Sequence, residues 1–111
     1  HSNIAIIISH MPNTHLVRAI EPAALARAAD IIKLLGHAER LKIVEVLENN
    51  AATVTEIQDA LDLPQAIVSQ HLAKMRGCDI VAARRDGNHV YYRIVEPKVH
   101  HILNCIRHCD T

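Results

Sequence analysis

The chain predicts a mainly α-helical domain closed by a small β-hairpin, in the order α-α-α-α-β-β-α, and three stretches carry that prediction. The first is Leu63-Pro64-Gln65-Ala66-Ile67-Val68-Ser69-Gln70-His71-Leu72-Ala73-Lys74-Met75-Arg76, where Val68, Leu72 and Met75 recur at i, i+4 and i+7 and line one side of a helix. The second lies just upstream. Thr53 to Leu61 makes a short helix with Val54, Ile57 and Leu61 inward, capped by Thr53 or Thr55, and Glu56 stands where a capping box with Thr53 needs it. Asp62-Leu63-Pro64 joins the two tightly, since Pro64 is tolerated only at or before a first helical turn. The third follows: Ile80 to Arg85 and His89 to Val95 are strand-like runs around Asp86-Gly87-Asn88. Helix, three-residue turn, helix and hairpin in that sequence make a winged helix-turn-helix.

The other elements follow in chain order. Residues 1–11, His1 to Met11, read as a tag-derived or vector-derived segment, because Ser9-His10-Met11 resembles a cloning junction and makes Met11 the candidate initiator. Residues 12–111 are then one DNA-binding and dimerisation domain. The apolar run Ile4 to Ile8 is too short to span a membrane. With no other targeting or transmembrane segment, the expected location is the cytoplasm. Pro22 to Leu35 forms the first helix, with Ala24, Leu25, Ala28, Ile31, Ile32 and Leu35 on its apolar face, and Gly36 ends it. Ala38 to Glu48 forms the second, with Leu41, Ile43, Val44 and Leu47 inward. The last helix runs from Pro97 to Cys109, with Val99, Ile102, Leu103 and Ile106 on its apolar side.

A chain of 111 residues supports one modest core, and without Phe or Trp that core must be built from aliphatic side chains and two tyrosines. Formal charge cancels, which at first argues against nucleic acid. The distribution answers this. Residues 21–62 hold eight acids against four bases, whereas residues 63–95 hold five bases (Lys74, Arg76, Arg84, Arg85, Arg93) against two acids. Phosphate neutralisation is local, and the basic half coincides with the polar helix and the hairpin.

The outer side of the 65–76 helix carries Gln65, Ala66, Ser69, Gln70 and Lys74. Short polar and small side chains suit close approach to base edges, where a merely solvated face would carry Glu and Lys pairs. Gln65, Ser69, Gln70 and Lys74 are therefore expected at bases and phosphates of double-stranded DNA, with Ala66 beside them. Arg84, Arg85 and the Asn88 tip are expected at the backbone or minor groove. His71 lies close to the apolar stripe and reads as a packing residue, and His37 as a helix-boundary residue; His89 at the hairpin is open to a phosphate or to solvent.

Val68-Ser69-Gln70-His71-Leu72, Met75-Arg76, Ile80-Val81, Arg84-Arg85-Asp86-Gly87 and Val90-Tyr91-Tyr92, in that order, resemble the ArsR/SmtB family of small bacterial repressors, as does His37-Ala38-Glu39-Arg40-Leu41-Lys42-Ile43 at a helix start. The match covers about residues 22–109. The resemblance implies a homodimeric transcriptional repressor whose first and last helices meet at the dimer interface and whose paired recognition helices read an inverted-repeat operator. Two positions depart from the pattern. Ala66 replaces the usual Ser, Pro or Thr, and Cys78-Asp79 replaces a small residue and Gly, so Asp79 must adopt the left-handed cap conformation.

The family's known sensing sites are not reproduced. Its Cys-x-Cys site would fall at Thr53, Thr55 and Gln58, its last-helix Asp and His site near Glu96, Lys98 and Cys109, and its two-cysteine redox pair would need a thiol near Val44. What the last helix does carry is His101, Cys105, His108 and Cys109, which at about 100° per residue share an arc of roughly 100° opposite the apolar side. Imidazoles and thiolates one turn apart suit zinc, nickel, cobalt or cadmium, and arsenite with a further thiol, so these four are the candidate effector ligands. Thiol chemistry without a metal, and plain interface packing, remain the alternatives. No organic cofactor is implied. Cys78, Cys105 and Cys109 do not suggest a disulfide framework in a cytoplasmic chain. No nucleophile-base pair or Gly-rich phosphate loop points to an enzyme.

Overall fold

The computed structural model describes residues 19–109. The expectation about residues 1–11, and the start of the domain at residue 12, lie outside the described residues. Five helices and one hairpin follow in the expected order: α1 (Pro22–Leu35), α2 (Ala38–Leu47), α3 (Val54–Leu61), α4 (Gln65–Gly77), β1 (Val81–Asp86), β2 (His89–Ile94) and α5 (Pro97–Arg107).

Helices α2, α3 and α4 build the head. Ile43, Val44, Ile57, Val68, Leu72 and Met75 are fully buried within it, Ile80 and Val81 close its base, and Ile31, Leu35, Val99 and Leu103 join from α1 and α5. With no large ring in this cluster, cohesion comes from many aliphatic contacts, each buried side chain contributing about 1.5–3 kcal/mol of transfer free energy.

Local chemistry sets the turns. The Glu56 amide donates to Thr53 Oγ1 at 3.1 Å and the Thr53 amide to Glu56 Oε1 at 2.9 Å, so Thr53, rather than Thr55, caps α3 through the reciprocal pair. Asp62 ends α3 in the left-handed conformation at φ 55°, and Asp79 does the same after α4 at φ 57°, as the missing glycine required. In the hairpin the register pairs Val81 with Ile94 and Asp86 with His89, and Gly87 takes φ 63° at the turn. Backbone bonds between Ala52 and Tyr92, at 3.0 and 2.8 Å, pin β2 to the segment leading into α3 and so hold the wing against the head.

Two expectations change. The last helix ends at Arg107 and not at Cys109, because at His108 (φ −97°, ψ 4°) the backbone amide turns onto the carbonyls of Asn104, Cys105 and Ile106. And only part of the α1 apolar face is covered: Ile31 and Leu35 are buried, while Leu25 is 51% and Ile32 62% exposed, as is Ile106 on α5 at 50%. One chain's core takes the near edge of these faces and leaves the far edge in water. Among the described residues no helix is long and apolar enough to cross a membrane.

Candidate nucleic-acid interface

Helix α4 is two-faced. Val68, His71, Leu72 and Met75 are buried against the head, while Gln65, Ala66, Ser69, Gln70, Ala73 and Lys74 are all exposed. The expected contact residues of this helix therefore form one continuous outer surface. Pro64 precedes α4 without a side-chain cap, so its first amides are free to meet an anion at the positive end of the helix dipole. Lys74 and Arg76 lie in the last turn, where cations offset the negative end.

The wing is less simple than the sequence suggested. Directly paired residues share a face and successive residues alternate, so Arg84, paired with Tyr91, sits on one face with Arg93, and Arg85, paired with Val90, sits on the other. Arg84, Arg93 and Tyr91 border a cleft with Asn50, Ala51 and Asp86; Arg85 and Val90 border one with Arg76 and Asp79. Arg84 and Arg85 thus leave the hairpin on opposite faces. Asn88 and His89 are exposed at the tip.

Three polar networks hold the head in its frame, and sequence reasoning missed all of them because their partners are far apart in the chain. In the first, His71 Nδ1 accepts from Arg40 Nε at 3.1 Å and Nε2 stands 2.9 Å from Glu39 Oε1, tying α2 to α4. Arg40 also donates to the Leu34 carbonyl at 3.1 Å, and His37 caps α2 by accepting from the Glu39 amide at 3.2 Å. His71 is thus a bonded packing residue and His37 a helix-boundary residue, as expected. In the second, Arg107 on α5 forms a forked pair with Glu48 after α2. In the third, Arg27 on α1 pairs with Glu96, the buried N-cap of α5, at 2.9 Å.

These bonds hold three carboxyls below their ordinary range: Glu39 through its bond from His71, Glu48 through Arg107, and Glu96 chiefly through the Lys98 amide at 3.1 Å and then Arg27, with burial opposing in each case. A carboxyl depressed in the folded state stabilises above its unfolded value, 4.5, and that contribution disappears as pH falls through the lower folded value. With respect to these groups the urea midpoint should therefore be independent of pH near neutrality and should decrease as the pH drops under 4.5. Glu96→Gln should lower the midpoint at neutral pH and flatten the acid limb, and an unchanged acid limb would refute the assignment.

Among the described residues, one group of three brings ligand atoms within 4.8 Å of one another: His37, Glu39 and His71. Its hydrogen bonding opposes a cation. Because Arg40 donates to His71 Nδ1, the ring hydrogen must sit on Nε2, where it points to Glu39 and occupies the lone pair a metal needs. The expected ligands His101, Cys105, His108 and Cys109 are all exposed and do not form such a group within one chain; with the helix ending at Arg107, only His101 and Cys105 keep a helical spacing. His108 has the arrangement His71 lacks. Its Nδ1 lies 2.9 Å from the Asn104 carbonyl, which can only accept, so the hydrogen is on Nδ1 and the Nε2 lone pair is free.

A tri-helical head with an exposed polar recognition helix, a basic hairpin beside it and helices flanking both defines a winged-helix DNA-binding regulator. The profile of the bacterial regulatory protein arsR family matches residues 37–83. The transcriptional repressor PagR of Bacillus anthracis is 43% identical over 88 residues, which are 78% of this chain and 88% of PagR. The crystal structure of PagR matches with a TM-score of 0.71, covering 78% of this chain and 99% of that one. The transcriptional repressor SmtB of Mycobacterium tuberculosis is 34% identical over 76% of this chain and 63% of its own length. The crystal structure of the repressor BigR from Xylella fastidiosa has a TM-score of 0.73 at 28% identity, covering 78% of this chain and 89% of that one. This chain belongs to the ArsR family. It is a transcriptional repressor of that family and not an enzyme.

Proposed function

We propose that the protein works as a homodimer that binds an inverted-repeat operator in double-stranded DNA and is released by an ion held on α5. The observation that carries the DNA reading is the division of α4, whose stripe of Val68, Leu72 and Met75 is fully buried while Gln65, Ser69, Gln70 and Lys74 stand exposed on the other side. The exposed Leu25, Ile32 and Ile106 supply the apolar surface a twin subunit would cover, and two heads so joined meet successive major grooves. The effector reading rests on soft ligands at the free end of α5, with His108 Nε2 unencumbered and Cys105 and Cys109 exposed. Since one chain does not gather them, the site is completed across the dimer. Zinc, nickel, cobalt, cadmium and arsenite are the ions to try.

A thiol-responsive repressor is the second reading, favoured by the free, half-buried thiol of Cys78 at the C-terminal end of α4, whose Sγ lies 3.3 Å from the Arg27 guanidinium. Mobility shifts on a selected operator separate the two. Release by one of these ions in wild type, lost in Cys105→Ser with Cys109→Ser, supports the first; release by oxidant alone, lost in Cys78→Ser, supports the second. Operator binding that no ion alters removes the ion proposal, and bound-metal stoichiometry of the purified dimer gives an independent reading.

A further inference from the structure

We propose that Arg27 is the positioning residue that fixes the angle of the recognition helix relative to the α1 and α5 layer, and thereby the spacing of half-sites the dimer accepts. The inference rests on the dimeric reading above. Every N–H of this guanidinium is committed. Nη1 donates to the Cys78 carbonyl at 2.6 Å and to Cys78 Sγ at 3.3 Å, and Nη2 to the Asp79 carbonyl at 3.2 Å. Nε and Nη2 both donate to Glu96 Oε1, at 3.2 and 2.9 Å.

Cys78 caps the C-terminus of α4, and Glu96 caps the N-terminus of α5, its other oxygen accepting from the Lys98 amide. One planar fork therefore joins α1, the end of the recognition helix and the start of the last helix. Among the described residues, no other side chain of α1 makes a hydrogen bond to either element. Leu25 and Ile32, which flank Arg27 in sequence on the same helix, are among the exposed apolar residues of the dimerisation face. A displacement of that face reaches α4 through a rigid group and not through a flexible chain. An ammonium could not reproduce this, because it is a point charge with three donors and no fixed plane.

The test uses the full-length dimer and duplexes that wild type selects from a random pool, then respaced by inserting one base pair at the centre, which turns one half-site by about 35°. Wild type should lose on the order of tenfold in affinity on that insertion, and Arg27→Gln less than about threefold, with dimerisation unchanged by sedimentation. Arg27→Lys should behave like Arg27→Gln, since charge alone does not restore the fork; it also serves if Arg27→Gln does not fold. A merely structural role would weaken binding equally at every spacing. Equal spacing penalties in wild type and both variants overturn the role of Arg27 while leaving the dimeric repressor standing; a monomeric wild type, or one indifferent to spacing, overturns both.

Discussion

Replacing Leu72 by alanine is expected to lower the unfolding free energy by about 2–5 kcal/mol, because the side chain is fully buried and truncation adds a cavity term to the lost transfer term. The surroundings make collapse into that space difficult. Leu72 lies in one cluster with Ile43, Val44, Ile57, Val68 and Met75, contributed by three helices that cross at the head, so no single helix can shift to fill the gap. For a small domain whose total stability is of the order of 5–15 kcal/mol, a loss at the upper end would leave a large unfolded population at body temperature. Denaturant titration measures it through the midpoint at constant slope. A loss below about 1 kcal/mol would mean that the α4 stripe is not the centre of the core.

Two residues earlier on the same helix the expected effect reverses. Gln70→Ala should change stability by less than about 0.5 kcal/mol, as exposed substitutions do, yet lower operator affinity by about 1–3 kcal/mol, roughly tenfold to a hundredfold. The loss should be concentrated at particular base pairs, because an amide that pairs with a base edge discriminates between bases. Lys74→Ala makes the contrast sharper. A phosphate contact carries no sequence information, so its loss should weaken binding to all duplexes alike and reduce the salt slope by about one. Fluorescence anisotropy against salt concentration, on the selected duplex and on a scrambled one, measures both. If Gln70→Ala leaves specific binding unchanged while Lys74→Ala removes it, recognition rests on the backbone and on DNA shape, and the assignment of Gln70 to a base is lost.

The order of elements and the inner and outer sides of α4 were legible in the sequence because both follow from local periodicity. Val68, Leu72 and Met75 can lie inward only if the segment is helical, and Thr53 with Glu56 marks a helix start by chemistry confined to four residues. The left-handed conformation of Asp79 was foreseeable from the resemblance, since Asp79 stands where the family's pattern has the glycine that ends this helix. The resemblance on Ser69-Gln70-His71-Leu72 and Arg84-Arg85-Asp86-Gly87 pointed to the family that the comparisons then established.

What the sequence could not show is every relation between residues far apart in the chain, and each of these depends on how whole elements cross. Arg27 with Cys78 and Glu96, Arg40 and Glu39 with His71, and Arg107 with Glu48 are hydrogen-bonded partners that no spacing rule connects. Strand pairing alone separated Arg84 from Arg85, and the stop at Arg107 alone took Cys109 off the helical face it was expected to share with His101 and Cys105. Periodicity determines which side of an element is apolar, because that depends only on the pitch of its own backbone. Which polar groups meet, and which histidine nitrogen is left free, was decided by tertiary packing, because a hydrogen bond is formed only where two elements are brought within about 3 Å of each other.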